Sequence, residues 1–426
     1  MPLSNSDEIS SDILSPTPPA VAPAPVAPVP VAPVPVAPVP VAPVPVAPAP
    51  VAPVTVAPVP VAPVPAVPSP VASAPVAPAL VYPEPLTAHE AEAYLDLRRE
   101  SAWFESAGQW STFRGPKAVE ALNGLVTNDV SQLLPGEGMH AAALTPKGKL
   151  ICDMLILRID EESFMMTSLR SCAPQWLATA RKYVNPRLAK AEDESDKWTT
   201  WMLYGAEALQ AVAQLGGATH TVNDLSDVMS EGLAQWKPWQ HGTWNIGPAT
   251  VRLIRAPLMG SLPGFVLMAD THDAEVVRDL LEKSACRKAT RAVWNIARVE
   301  SGRPAWGIDM DENTIPQEAN LDTLGAISFT KGCYTGQETV ARIHFRGHVN
   351  RRLRGLLGSS ALPQHAQIVD ATGKVVGDVR SSVNSPRLGP IAIAMLRREI
   401  VDGDTVMVET LSGPISAEVR ELPFAE

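Results

Sequence analysis

From Pro16 to Pro85 proline recurs mostly every two or three residues, in units such as Val31-Ala32-Pro33-Val34-Pro35. Each proline withholds a backbone donor and fixes φ, so the segment can neither hold a helix nor fill a sheet. It is expected to be a disordered, extended polyproline II tail over residues 1–86, without a core of its own. At about 3.1 Å per residue it would reach on the order of 200 Å when fully extended, a semi-rigid spacer or tether. Its valines and alanines do not make it a transmembrane helix, because proline interrupts every turn. The start, Met1-Pro2-Leu3-Ser4-Asn5-Ser6-Asp7-Glu8, lacks the basic and apolar regions of a signal peptide. No other apolar stretch is long enough to span a bilayer, so a soluble, cytoplasmic protein without membrane contact is expected.

The 426 residues leave room beyond the tail for two or three domains. The four cysteines, Cys152, Cys172, Cys286 and Cys333, are far apart and form no Cys-x-x-Cys pair. A metal or cluster bound by this chain alone is therefore not expected, and in a reducing cytosol the cysteines are free thiols. A net charge of −10 argues against a general nucleic-acid coat. Arg342, His344, Arg346, His348, Arg351, Arg352 and Arg354 nevertheless crowd one short segment. A strand with a solvated outer face is one reading of this segment. Because it adjoins Cys333 in sequence, we favour the other, an anion patch built on Arg342, Arg346 and Arg351, for a polyglutamate tail, a phosphate or an RNA backbone.

Apolar spacing predicts a helix over Ala88–Ala107 and another opening after Gly115-Pro116. Strands are expected over Met139–Thr145 and Leu150–Ile159, joined by a turn at Pro146-Lys147-Gly148, and over Phe164–Ser168. Helices at Pro174–Tyr183, Ala206–Leu215, Asp273–Ser284 and Arg287–Glu300 alternate with strands at Trp198–Tyr204, Val251–Arg255 and Gly264–Ala269. Gly302 reads as the C-cap of the last helix. This order indicates an α+β fold of two units with antiparallel sheets, spanning 87–350 with a boundary near 195–250. From Arg351 to the C-terminus, short strands punctuated by glycine and proline suit a small β-barrel, residues 351–426.

The run Lys331-Gly332-Cys333-Tyr334-Thr335-Gly336-Gln337-Glu338 places one thiol between glycines and beside a lysine. Close backbone approach at Gly332 and Gly336, and positive charge from Lys331, would suit a reactive thiolate at Cys333. A small apolar core residue in a glycine turn is the alternative. Tyr334 could stack on a flat ligand or pack against the barrel, while Gln337 and Glu338 could anchor the loop.

Lys-Gly-Cys-Tyr-x-Gly-Gln-Glu resembles the signature of the YgfZ family of folate-binding proteins, relatives of the glycine-cleavage T-protein (aminomethyltransferase). Leu125-Val126-Thr127-Asn128-Asp129-Val130, Ala143–Leu150, Arg298–Gly302 and Gly307–Leu321 extend the resemblance from about Tyr94 to the C-terminus. It implies two α+β units and a barrel around a central channel that binds tetrahydrofolate or a derivative. It also implies a role in assembling or repairing iron–sulfur proteins, including tRNA-modifying enzymes. Whether the protein turns over a substrate is left open; if it does, the resemblance implies a tetrahydrofolate-dependent one-carbon transferase, and an RNA-binding module is a further alternative.

By the same resemblance Glu300 contacts the pterin, whose neighbouring N–H donors one carboxylate can accept. Asn128 and Asp129 lie near the channel. Asp153 stands where the aminomethyltransferases carry an Asp-Asp pair; here the pair reads Cys152-Asp153. Cys333 and Asp153 are the candidate catalytic residues. Folate, iron–sulfur client or assembly proteins and a transient RNA contact are the implied partners.

Overall fold

A computed structural model describes residues 79–106, 108–217 and 232–424. The expected disordered tail lies, up to residue 78, outside the described residues. Its last residues are attached: Val81 pairs with Gln364, and Leu80 and Leu86 pack on apolar clusters.

Along the chain run α1 (Ala88–Arg99), β1 (Ala102–Ser106), β2 (Gln109–Arg114) and α2 (Ala118–Asn123). Next come β3 (Gly138–Leu144), β4 (Leu150–Arg158), β5 (Ser163–Ser168), α3 (Ala173–Tyr183) and β6 (Lys190–Asp193). They are followed by β7 (Trp198–Tyr204), α4 (Ala208–Gly217), β8 (His241–Ile246), β9 (Ala249–Arg255) and β10 (Gly264–Asp270). Then α5 (Ala274–Lys283), β11 (Arg287–Lys288), α6 (Arg291–Glu300) and α7 (Gln337–Arg346) lead to the C-terminal strands. Those are β12 (Arg351–Gly358), β13 (Gln367–Val369), β14 (Val375–Ser385), β15 (Gly389–Arg397), β16 (Thr405–Val408) and β17 (Ile415–Arg420).

The fold is α+β, as expected. One sheet has the order β3-β4-β5-β2-β6, a second has the order β11-β1-β7-β10-β9-β8, and β12-β15-β14-β13-β16-β17 close a barrel. Every pairing between these strands is antiparallel except the short β1–β11 contact. Two expected helices are shorter than the sequence suggests. The first stops at Arg99, and Ala102–Ser106 turns into β1, where Trp103 is buried against Trp201 and Leu203. The other begins at Arg291, because Arg287–Lys288 is drawn out as β11 beside β1. In both places a strand partner far along the chain overrides local helical spacing.

One apolar cluster runs through both sheets and the barrel. It includes Trp110 and Leu150 of the first sheet, Tyr204 and Val266 of the second, and Leu353, Ile391 and Met395 of the barrel. Helix α6 lies against α1, β14 and β15. It buries Val293, Ile296 and Val299, worth about 1.5–3 kcal/mol each in area removed from water. At its end Gly302 takes φ +63°, its N–H bonds Val299 O, and the Arg303 N–H reaches back to Arg298 O. This is a Schellman cap, and it fixes the exit of the chain beside Glu300. Among the described residues no helix is long and apolar enough to cross a membrane.

Candidate functional site

The last turn of α6 carries two charged side chains to different places. Arg298 donates to Asp309 Oδ2 at 2.9 Å and to Ser381 Oγ at 2.7 Å, joining the helix to β14. Asp309 is fully buried and also accepts from the Ser381 and Ala305 amides. Arg298 is therefore a structural tie to the barrel. Glu300, only 2% exposed, faces α1 instead. Its Oε1 accepts from the Tyr94 hydroxyl at 2.7 Å and from Ser385 Oγ, and its Oε2 pairs with Arg98. A carboxylate at a helix C-terminus is disfavoured by the dipole, and the Arg98 cation offsets that penalty. Burial, then the neighbouring Glu300 charge, raises the Tyr94 pKa, so this hydroxyl remains a donor at neutral pH.

A carboxylate offers about four acceptor positions, and three are used here, leaving one on Oε2. A donor pair such as a pterin edge would fill that position and share or displace one partner on Oε1. Arg98 Nε is buried without a partner, an orphaned donor next to the same carboxylate. Buried polar atoms left unpaired in a folded protein call for a ligand or water. The free acceptor on Glu300 and the free donor on Arg98 match the hydrogen-bonding edge of a flat polar heterocycle.

The second acid, Asp153, lies on β4. His140, on the neighbouring β3, brings Nε2 to 3.2 Å from Asp153 Oδ2, while its Nδ1 is buried and unpartnered. Arg303, three residues beyond Glu300, acts electrostatically on Asp153 and donates to Pro257 O at 3.3 Å. Burial holds its guanidinium below the ordinary arginine range, and the nearby Asp153 side chain pushes the other way. It lies 6.0 Å above the Trp239 ring. Trp239 itself sits at φ +65°, a region that a bulky side chain rarely adopts and that often marks a functional site.

Asn128 and Asp129 are occupied locally. The Asn128 amide donates to His140 O and Gly325 O, both at 2.9 Å. Asp129 Oδ1 accepts from the Ser131 amide and hydroxyl. Thr127 Oγ1 donates to Ala326 O at 2.6 Å and accepts from the Ala142 amide. This polar turn thus holds β3 and the 325–326 segment in place around His140.

The signature loop departs from its expected chemistry in one respect. Lys331 does not serve Cys333: its ammonium is buried and donates to Asn123 O, Val126 O and Asn128 O at 2.7, 2.9 and 2.7 Å. Burial lowers its pKa to about 8, so it is still charged at neutral pH. The lysine clips the loop onto the turn after α2. Lys331→Met should cost about 1–3 kcal/mol by stranding these carbonyls, measured as a lower urea midpoint with an unchanged slope.

Cys333 is exposed, and among the described residues its thiol has no hydrogen bond. Tyr334 packs into the core, 5.1 Å below the Lys331 ammonium, and burial pushes its hydroxyl up to about 12. Of its two expected roles, packing is the one seen. Gly336 has φ +81° and starts α7; a Cβ there would meet Thr145 O at 2.6 Å. Gly332 has no such constraint, since a Cβ would find nothing within 4 Å. Gln337 Nε2 reaches Gly332 O at 3.4 Å, whereas Glu338 is exposed in the first turn of α7, where the dipole favours an acid.

The arginine segment is not the expected strand. Residues 337–346 form α7, with the strand starting only at Arg351. The Gly336 turn and buried Val340 start the helix, and His344 stacks on Phe329 at 3.6 Å between centroids. Arg342 and Arg346 share this helix, but Arg351 leaves the patch and pairs with Glu318 at 3.0 Å. Arg98, His140, Trp239, Arg303 and Ser385 had no local sequence signal. Arg303 alone lies just past a recognised motif.

Comparisons with known proteins agree with this architecture. The chain matches the GCVT N-terminal domain over residues 82–331 and the glycine cleavage T-protein C-terminal barrel domain over 351–426. The tRNA-modifying protein YgfZ of Cronobacter sakazakii is 28% identical over 326 residues, 74% of this chain and 90% of that protein. Its counterpart from Escherichia coli O157:H7 is 29% identical over 300 residues, 70% of this chain and 81% of that protein. Among solved structures, the glycine cleavage system aminomethyltransferase T of Bartonella henselae shares the fold, with a TM-score of 0.68 at 21% identity. That match covers 79% of this chain and 89% of the other.

Proposed function

This chain belongs to the glycine-cleavage T-protein family, and on that premise we propose that it is a cytoplasmic folate-binding protein that assists iron–sulfur proteins. The clients include tRNA-modifying enzymes, a reading supported by the name carried by the YgfZ relatives. The observation that carries the proposal is the buried Glu300 carboxylate with one acceptor position left and the Arg98 Nε donor beside it. A reduced folate, tetrahydrofolate or a derivative, supplies the pterin edge and the nitrogen that carries a one-carbon unit.

The chain's own residues then divide the work. Glu300 accepts the pterin N–H donors, and Arg98 and Tyr94 hold that carboxylate oriented. His140 positions Asp153, the second acid. Arg303, over Trp239, sets the potential at Asp153. Cys333 offers an exposed thiol to a client or assembly protein.

The test has two arms. Calorimetry on the purified chain should show uptake of tetrahydrofolate, and deletion of the gene should lower iron–sulfur enzyme activities and the tRNA modifications that depend on them. No uptake of any folate, or unchanged activities after deletion, would overturn the proposal. Sustained formation of methylene-tetrahydrofolate from an aminomethyl donor would make the protein a transferase instead.

A further inference from the structure

A cavity of about 350 Å³ opens beside α7, apart from the residues that surround Glu300. Its lining includes Glu318, Thr339, Arg342, Arg346, His348 and Asn350. Arg342 and Arg346 are four apart on one helix and so point to the same side. Both are exposed, and neither makes an ion pair among the described residues. The acid in the lining is already neutralised. Glu318 accepts from Arg351 Nε at 3.0 Å and from the Ile315 amide at 2.9 Å. His348 Nε2 is engaged by the Arg398 guanidinium. The helix dipole accounts for cations in the last turn of α7, but Arg342 stands a turn earlier. The cavity therefore carries uncompensated positive charge in a protein whose net charge is −10.

We propose that this cavity is a binding site for a phosphate group. Each guanidinium presents a planar fork that takes two oxygens. One carboxylate has only two oxygens and is saturated by one fork, whereas a phosphate has enough for both. The volume also falls in the range of small-molecule sites, room for more than a bare ion. The phosphate belongs either to a free nucleotide or to an RNA strand, and the two share this chemistry.

Calorimetry on the full chain distinguishes them. The probes are inorganic phosphate, adenosine monophosphate, a single-stranded oligoribonucleotide and an oligoglutamate. Phosphate uptake is expected, weakened about tenfold or more in Arg342→Gln/Arg346→Gln, the loss that follows when charge-assisted bonds are removed. Melting temperature and tetrahydrofolate uptake should be unchanged in that variant, so failure here and failure of the folate proposal are separate results. Arg342→Lys/Arg346→Lys keeps the charge without the forks and should fall between the two. Tighter, steeply salt-dependent binding of the oligonucleotide assigns the phosphate to RNA; equal or better binding of the mononucleotide assigns it to a free nucleotide. Equal phosphate affinity in the glutamine variant, no phosphate uptake, or uptake of oligoglutamate alone would each overturn the site.

Discussion

Glu300→Ala is expected to abolish folate uptake and to lower stability by about 3–5 kcal/mol, the cost of stranding one member of a buried ion pair. Removing the carboxylate leaves Arg98, Tyr94 and Ser385 without their shared acceptor. Loss of fold and loss of binding must be told apart. Glu300→Gln keeps an amide oxygen for Tyr94 and Ser385 and loses the charge and the acceptor that Arg98 uses, so it should be milder than alanine in urea unfolding. It should still bind folate poorly, because one donor-bearing amide replaces an acceptor-only group. Tyr94→Phe sets the scale: it deletes a single hydrogen bond to Glu300 and should cost about 1 kcal/mol. Wild-type folate affinity in both Glu300 variants would remove the acid from the site.

Cys333→Ala is expected to do the opposite: complete loss of the protein's support for iron–sulfur enzymes with almost no change in melting temperature. The thiol is exposed and makes no hydrogen bond among the described residues, so its removal should stay within about 0.5 kcal/mol. Complementation of a deletion strain, scored by iron–sulfur enzyme activity, reads the functional loss. Full complementation by the alanine variant would end the case for a working thiol. Lys331→Met provides the contrast, since its ammonium is structural and its loss should appear in stability first.

Much of the fold was legible in the sequence because the signals were local. The β3–β4 hairpin shows apolar strands around Pro146-Lys147-Gly148, and Gly302 marks the end of α6 where the Schellman cap forms. The barrel reads from its glycine and proline spacing. What escaped was set by distant partners. Gln109–Arg114 becomes β2 only between β5 and β6, and Arg287–Lys288 is a strand only because β1 lies alongside. The arginine-rich segment looked like a solvated strand, yet the Gly336 turn starts a helix there. At the site, Glu300 was recognised from its motif, but its partners Tyr94 and Ser385 lie 206 and 85 residues away. No spacing rule joins them. Lys331 is another case: its three carbonyl acceptors belong to a turn 203 to 208 residues earlier.

The placement of β1 bears on how the chain is made. The sheet built from β2 to β6 has all its strands once Asp193 has emerged from the ribosome, whereas β1, synthesised before any of them, must wait for β7 and then β11. Until then Trp103 and the unpaired edge of β1 have no native cover, at roughly 5–20 residues per second of vectorial growth. A nascent chain stalled between these points would present an apolar, half-bonded ribbon, the sort of surface that holdase chaperones shield.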